Sequence, residues 1–192
     1  IGSLVFLAGL RVWFLILFFG IFTASLPFLW FNLHDYQKQR ILTHLDPSTD
    51  ALGAGYHINQ SKIALGSGGV FGKGFLQGSQ SHLDFLPEKQ TDFIFTMIGE
   101  EFGLAGSLFV LMIFVLVMVY TYMISFLQSS QFGRLVCSGI VFMLFSYVFV
   151  NVGMVSGMLP VVGAPLPLIS YGGSSMLTIF ISFGIVMSAS IH

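Results

Sequence analysis

Apolar and polar residues lie in separate blocks along this chain. Four apolar blocks carry no charge: 12–33, 104–127, 135–158 and 168–190. Each is long enough to cross hydrocarbon about 30 Å thick at about 1.5 Å per residue. Residues 1–10 read as the end of an earlier span. Backbone groups in lipid must be bonded within their own segment, so the blocks predict helices. The expected architecture is all-α, a polytopic transmembrane helix bundle forming a single membrane domain over 1–192. Pro27 predicts a kink in the first span.

Between the first two blocks lies a polar insert, 35–92. Outside it the only charged residues are Arg11, Glu100, Glu101 and Arg134. The insert is rich in glycine, yet it also holds Ile58, Ile63, Leu65, Phe71, Phe75 and Phe85. A flexible linker lacks such residues. The pattern predicts a large ordered loop packed on the membrane or the bundle. Within it, 56–65 suits a short helix ended by Gly66, and 46–50 reads as a turn. Pro87 and Glu88 suit a first helical turn. A helix is therefore expected over 88–127, roughly 40 residues and 60 Å long. Its first part would project beyond the core and carry Asp92, Glu100 and Glu101.

Composition agrees with this picture. Hydrophobic residues make up 55% and charged residues 8%, against roughly 25% charged in soluble domains. The net charge is −1. These values exclude a disordered chain, a coiled coil and a basic nucleic-acid binder. The single Cys137 lies in an apolar run and reads as a small buried hydrophobe. Arg11 and Arg134 stand in short connectors and are expected on the cytoplasmic side, which puts the insert outside. Lys38, Arg40, Lys62, Lys73 and Lys89 count the other way, but the rule weakens for loops near about 60 residues. The chain opens at Ile1 inside apolar sequence with no signal-peptide pattern. It reads as a fragment without its N-terminal part.

The candidate chemistry is acidic. Glu88 and Asp92 are four apart and share a face if both are helical. Two carboxylates at a membrane boundary suit a divalent cation or a general base; solvated charge at an acidic helix start suits the same spacing. Glu100 and Glu101 sit in apolar surroundings and need a partner or a cavity. The run 66–74 misses the P-loop pattern, because Ser67 replaces the first glycine and Gly74 follows Lys73. A tight turn or an anion nest fits it better. The five histidines show no metal-ligand spacing. Gly99, Gly103 and Ser107 form a small-residue ladder, and Ser170, Ser174 and Ser175 with Gly172 and Gly173 suggest close helix packing. Asn151 suits an interhelical hydrogen bond. Trp30, Phe31 and Tyr36 fit an interfacial belt.

These residues leave transporter, receptor subunit and membrane enzyme open. Two longer strings narrow the choice. The first is Gly66-Ser67-Gly68-Gly69, Gly72-Lys73-Gly74, Gly78-Ser79-Gln80, then the run from Phe85 through Pro87, Glu88, Thr91 and Asp92 to Phe95, with Glu100-Glu101-Phe102-Gly103. The second runs from Asn151 through Pro160, Pro165 and Pro167 to Ser174. In order and spacing, over about 30–190, the chain resembles the SEDS family. His34-Asp35-Tyr36-Gln37, Leu45-Asp46-Pro47 and the Gly72 to Gln80 run are closer to its RodA branch than to its FtsW branch.

The resemblance implies a ten-helix protein of the bacterial cytoplasmic (inner) membrane. Such proteins polymerise lipid II into β-1,4 glycan strands outside that membrane during peptidoglycan synthesis. The RodA branch works in cell elongation with a class B penicillin-binding protein. The resemblance implies that Asp92 is the essential loop carboxylate, a general base or a ligand for Mg or Mn, with Glu88 as its second. Lys73, Lys89 and Arg40 are expected to neutralise phosphate. Only the C-terminal half of the family is covered, so this fragment alone is expected to be inactive. A precursor flippase would instead place ionisable groups within its spans. A cell-wall scaffold would tolerate loss of Asp92.

Overall fold

The structure is a computed structural model, and it describes residues 12–45, 54–78 and 90–191. Every regular element among the described residues is helical. In chain order these are α1 (Val12–Asn32), α2 (Asp35–Leu45), α3 (Ala54–Ser67), α4 (Ile94–Leu127), α5 (Gln131–Val155) and α6 (Gly173–Ile191). Three of them, α4, α5 and α6, are long and apolar enough to cross a membrane. A fourth crossing is available if α1 and α2, bent by 117° at the break after Asn32, are counted as one span. Pro27 lies inside α1, which continues through it. Asp46 to Asp50, Asp84, Glu88 and Lys89 fall outside the described residues, as does the acidic turn expected there.

The bundle is an antiparallel pair, α4 against α5, with α6 packed along them and α3 laid over one end. Two buried clusters hold it. One gathers Phe93, Phe95, Phe114, Val148, Met154 and Leu166 near the start of α4. The other gathers Ile124, Cys137, Ile140, Leu144, Ile179 and Val186 at the opposite end. There the α4–α5 turn is tied by Ser125, whose hydroxyl donates to the Arg134 carbonyl at 2.8 Å and meets the Ser138 hydroxyl at 2.9 Å. Much of the outer surface stays apolar, including Leu108, Phe109, Met112 and Leu116. Lipid tails are as apolar as leucine, so a spanning helix has no need to bury such a face.

The long helix departs from the sequence expectation in two ways. It begins at Ile94, after a turn at Gln90–Phe93, and not at Glu88. Asp92 stands in that turn, ahead of the helix, and Glu88 lies outside the described residues. The helix is also broken at Gly103, whose φ of 68° and ψ of −160° lie where essentially only glycine goes. The small-residue ladder expected along Gly99, Gly103 and Ser107 is interrupted at that point. A half-helix, 94–102, results, and the membrane-crossing part follows the break.

The break is filled by the glycine-rich segment after α3. Leu104 and Ala105 donate their amides to the Gly69 and Val70 carbonyls at 2.9 and 3.0 Å. Lys73 and Gly74 donate theirs to the Glu100 and Glu101 carbonyls, both at 3.0 Å. Backbone groups released by a broken helix must find partners at membrane depth, and this strap supplies four bonds. The approach is too close for side chains. A Cβ on Gly68 would overlap the Gly99 carbonyl, and one on Gly72 the Glu101 carbonyl. The 66–74 run turns tightly at 68–71, as expected, and forms a strap fitted into the break.

Candidate active site

Asp92 lies in the turn that precedes the half-helix, and its side chain is partly exposed. Its position is set by the segment after α5, which folds back over the bundle end. Asn151, fully buried on the last turn of α5, donates both amide protons. One goes to the Asp92 carbonyl at 2.8 Å and the other to the Ala164 carbonyl at 2.7 Å. Ser170 donates its hydroxyl to the Thr91 carbonyl at 2.5 Å and accepts from the Leu166 amide at 2.7 Å. The Tyr171 amide donates to the Gln90 carbonyl at 2.9 Å. Three successive carbonyls, 90 to 92, are therefore gripped, the first two from the loop after α5 and the third from α5 itself.

The carboxylate meets that same loop at Gly163. A Cβ there would stand 3.1 Å from Asp92 Oδ2, on a backbone already at φ 72°. Glycine leaves the space beside the carboxylate open. Below the turn, Phe93 is buried and packs beside the His57 ring. The half-helix is tied to α3 and α5 through Ser61. Its hydroxyl meets the Thr96 hydroxyl at 2.7 Å and donates to the Val155 carbonyl at 2.8 Å. Ser61→Ala leaves two buried groups without that partner, so a loss of about 1–3 kcal/mol is expected. The check is a lower apparent Tm in detergent, without a change of elution volume.

The other expected site residues are spread around this centre. Lys73 sits in the strap, with Nζ 2.8 Å from Glu100 Oε1; the Glu100 side chain is 1% exposed. Glu101 is also buried, 6% exposed. Arg40 lies on α2. Lys89 and Glu88 fall outside the described residues. Among the described residues no three His, Cys, Asp or Glu side chains gather as metal ligands. A cation here would have Asp92 as its described carboxylate ligand and would need further oxygens from substrate or water.

Several participants escaped the sequence reading. Ser170 was read as a packing residue, yet its hydroxyl holds the Asp92 turn. Its signal is a buried hydroxyl in a Pro-rich loop, which has to satisfy backbone groups without a helix. Lys62 is exposed on α3, and its arm crosses Gly157, where φ is 74°. The early appearance of Gly157 and Gly163 in the string after Asn151 was the available clue to both close approaches.

The family model for FtsW/RodA/SpoVE, described as a cell cycle protein, matches residues 1–192. The chain belongs to the FtsW/RodA/SpoVE family. Among curated relatives, the Escherichia coli K12 protein named peptidoglycan glycosyltransferase MrdB is 56% identical over 170 residues, 88% of this chain and 46% of that protein. The Treponema pallidum protein named peptidoglycan glycosyltransferase RodA is 46% identical over 156 residues, 81% of this chain and 36% of that protein. A solved structure titled as the structural coordination of polymerization and crosslinking by a peptidoglycan synthase complex matches with a TM-score of 0.78 and 30% identity. That match covers 98% of this chain and 52% of the solved one. The chain spans about half the length of the curated relatives it matches. As a FtsW/RodA/SpoVE member with three apolar spans, it is part of an integral membrane protein.

Proposed function

We propose that the protein carrying this chain is a peptidoglycan glycosyltransferase of the RodA branch. In this reading it polymerises lipid II during cell elongation, at the outer face of the bacterial inner membrane. The observation that carries it is the Asp92 turn, whose three carbonyls are clamped while its carboxylate faces the opening at Gly163. Pre-positioned carboxylates at one end of a spanning bundle suit chemistry on a membrane-anchored substrate.

The chemistry follows from the bond to be made. Lipid II presents an α-linked sugar diphosphate. A sugar 4-hydroxyl attacks C1, the C1–O bond to diphosphate breaks, and the new link is β. One displacement with inversion needs a base for the hydroxyl proton and positive charge for the departing diphosphate. Asp92 takes the proton. Lys89, three residues before it, and Arg40 supply cationic charge, and the exposed Lys62 beside the 156–163 loop adds to it. Glu88, four residues earlier in the sequence, is the second carboxylate. The loop side of the bundle faces outward, where a class B penicillin-binding protein crosslinks the strands. A flippase is disfavoured because the charges of α4 lie at its end beside the break, and its crossing part carries none.

The test uses the full-length protein, purified with its penicillin-binding partner and supplied with labelled lipid II. Wild type is expected to form glycan chains, and Asp92→Asn to lower the rate by about 10²–10⁴-fold, the usual worth of a positioned base. A chelator arm reports whether Mg or Mn shares the site. Normal chain growth by a folded Asp92→Asn protein would sink the base assignment and favour a scaffold.

A further inference from the structure

We propose that Lys73 and Glu100 form a positioning pair for Asp92, and that Lys73 is not a phosphate ligand. This rests on the glycosyltransferase reading and deepens it. Lys73 grips Glu100 twice. Its backbone amide donates to the Glu100 carbonyl at 3.0 Å, and its Nζ donates to Glu100 Oε1 at 2.8 Å. Glu100 lies near the C-terminal end of the half-helix, whose N-terminal end follows the Asp92 turn directly. That half-helix is a rigid rod roughly 13 Å long at 1.5 Å per residue. A side chain held at one end of such a rod fixes the rotation and tilt of the other.

The remaining contacts show why a hold is needed there. The Asp92 turn is clamped by Asn151 and Ser170, and the middle of the rod by Ser61 through Thr96. Its far end meets the Gly103 break, which transmits no helical stiffness. The strap closes that end, beside Leu65 of α3, which packs against Gly99. Hydrogen bonds from the strap backbone set its height, and the ion pair resists rotation. The Glu100 side chain is 1% exposed and that of Lys73 29%. A carboxylate so deeply buried is costly unless it is paired. A glutamine would keep a hydrogen bond without that cost. The pair also places a cation at the negative end of the half-helix dipole.

The experiment measures chain growth on labelled lipid II by the full-length protein with its penicillin-binding partner. The variants are K73M, E100Q, the double K73M/E100Q, K73R and the exchanged K73E/E100K. K73M and E100Q are each expected to lower kcat about tenfold, since small displacements of a reacting group have effects of that order or larger. KM for lipid II stays within about twofold, because ground-state binding is not what is lost. The double variant is no slower than the slower single, and K73R or the exchanged pair recovers part of the rate. A raised KM in K73M with a normal E100Q would instead identify Lys73 as a phosphate ligand and overturn the proposal. Additive losses, or unchanged kcat per folded molecule despite a lower apparent Tm, would also overturn it. Should K73M or E100Q fail to fold, K73R and the exchanged pair decide: a measurable rate at unchanged KM in both supports the pair, and a raised KM in either overturns it. Failure of the underlying function appears elsewhere, as an Asp92→Asn protein that polymerises normally.

Discussion

Gly103→Ala is expected to be the most disruptive single-methyl change in the described chain. The residue sits at φ 68° and ψ −160°, where a side chain adds strain of about 1–3 kcal/mol. A Cβ there would also meet the Val70 carbonyl oxygen at 2.6 Å and overlap the Gly72 amide. Relief requires the strap to leave. The Glu100 and Glu101 carbonyls and the Leu104 and Ala105 amides then lose their partners at a membrane boundary. Each such loss costs about 1–3 kcal/mol when the group stays buried. The total, about 5–15 kcal/mol, is comparable to the whole stability of a typical domain. The expected result is a protein that fails to elute as a single species after detergent extraction. A monodisperse Gly103→Ala protein with wild-type Tm would show that the break is not structurally required.

Asn151→Leu is the second large effect. The change keeps the branching and the number of side-chain heavy atoms, adds some bulk, and removes two donors. The Asp92 and Ala164 carbonyls lose their partners beside a fully buried site. A destabilisation of about 2–5 kcal/mol is expected from two such groups. Activity should fall further than stability, because one of the two bonds holds the Asp92 backbone itself. Asn151→Asp tests the same point differently. A carboxylate only accepts, so it faces two carbonyl oxygens with no proton to offer. Chain growth and apparent Tm, measured on both variants, separate the two effects. An active Asn151→Asp protein would mean that other contacts hold the turn.

Both predictions concern features the sequence showed unequally. Charge-free blocks of about twenty residues are a strong signal, and they marked α4, α5 and α6 because hydropathy is summed over many positions. The helix break was not legible that way. Glu100 and Glu101 end the apolar block just ahead of Leu104, but charge says nothing of backbone direction, and one glycine among many does not announce its φ. The start of α4 was misplaced because Pro87 and Glu88 satisfy the rules for a first helical turn. The hold on the Gln90, Thr91 and Asp92 carbonyls from residues 151 to 171 decided otherwise. The Lys73–Glu100 pairing joins residues far apart in sequence, so no local pattern reveals it. Asp92 stood out through the family resemblance, since spacing alone suited solvated charge equally well. Asn151 was noticed as polar in an apolar span, but its partners depended on how the following loop folds back.

The order in which the parts leave the ribosome gives the clamp a further meaning. The strap precedes the helix break it fills, so those two can meet as soon as α4 exists. Asn151, Ser170 and Tyr171 come much later. Domains tend to organise from the N-terminal side during synthesis, and the Asp92 carbonyls must wait for the last third of the chain. The turn that carries the carboxylate is therefore fixed only when α5 and the loop through Tyr171 are in place. A nascent or C-terminally cut chain holds its strap and its α4–α5 hairpin, yet lacks a set reaction centre. On the proposed reading, the reaction centre is set only after residues 151–171 have folded back over the Asp92 turn.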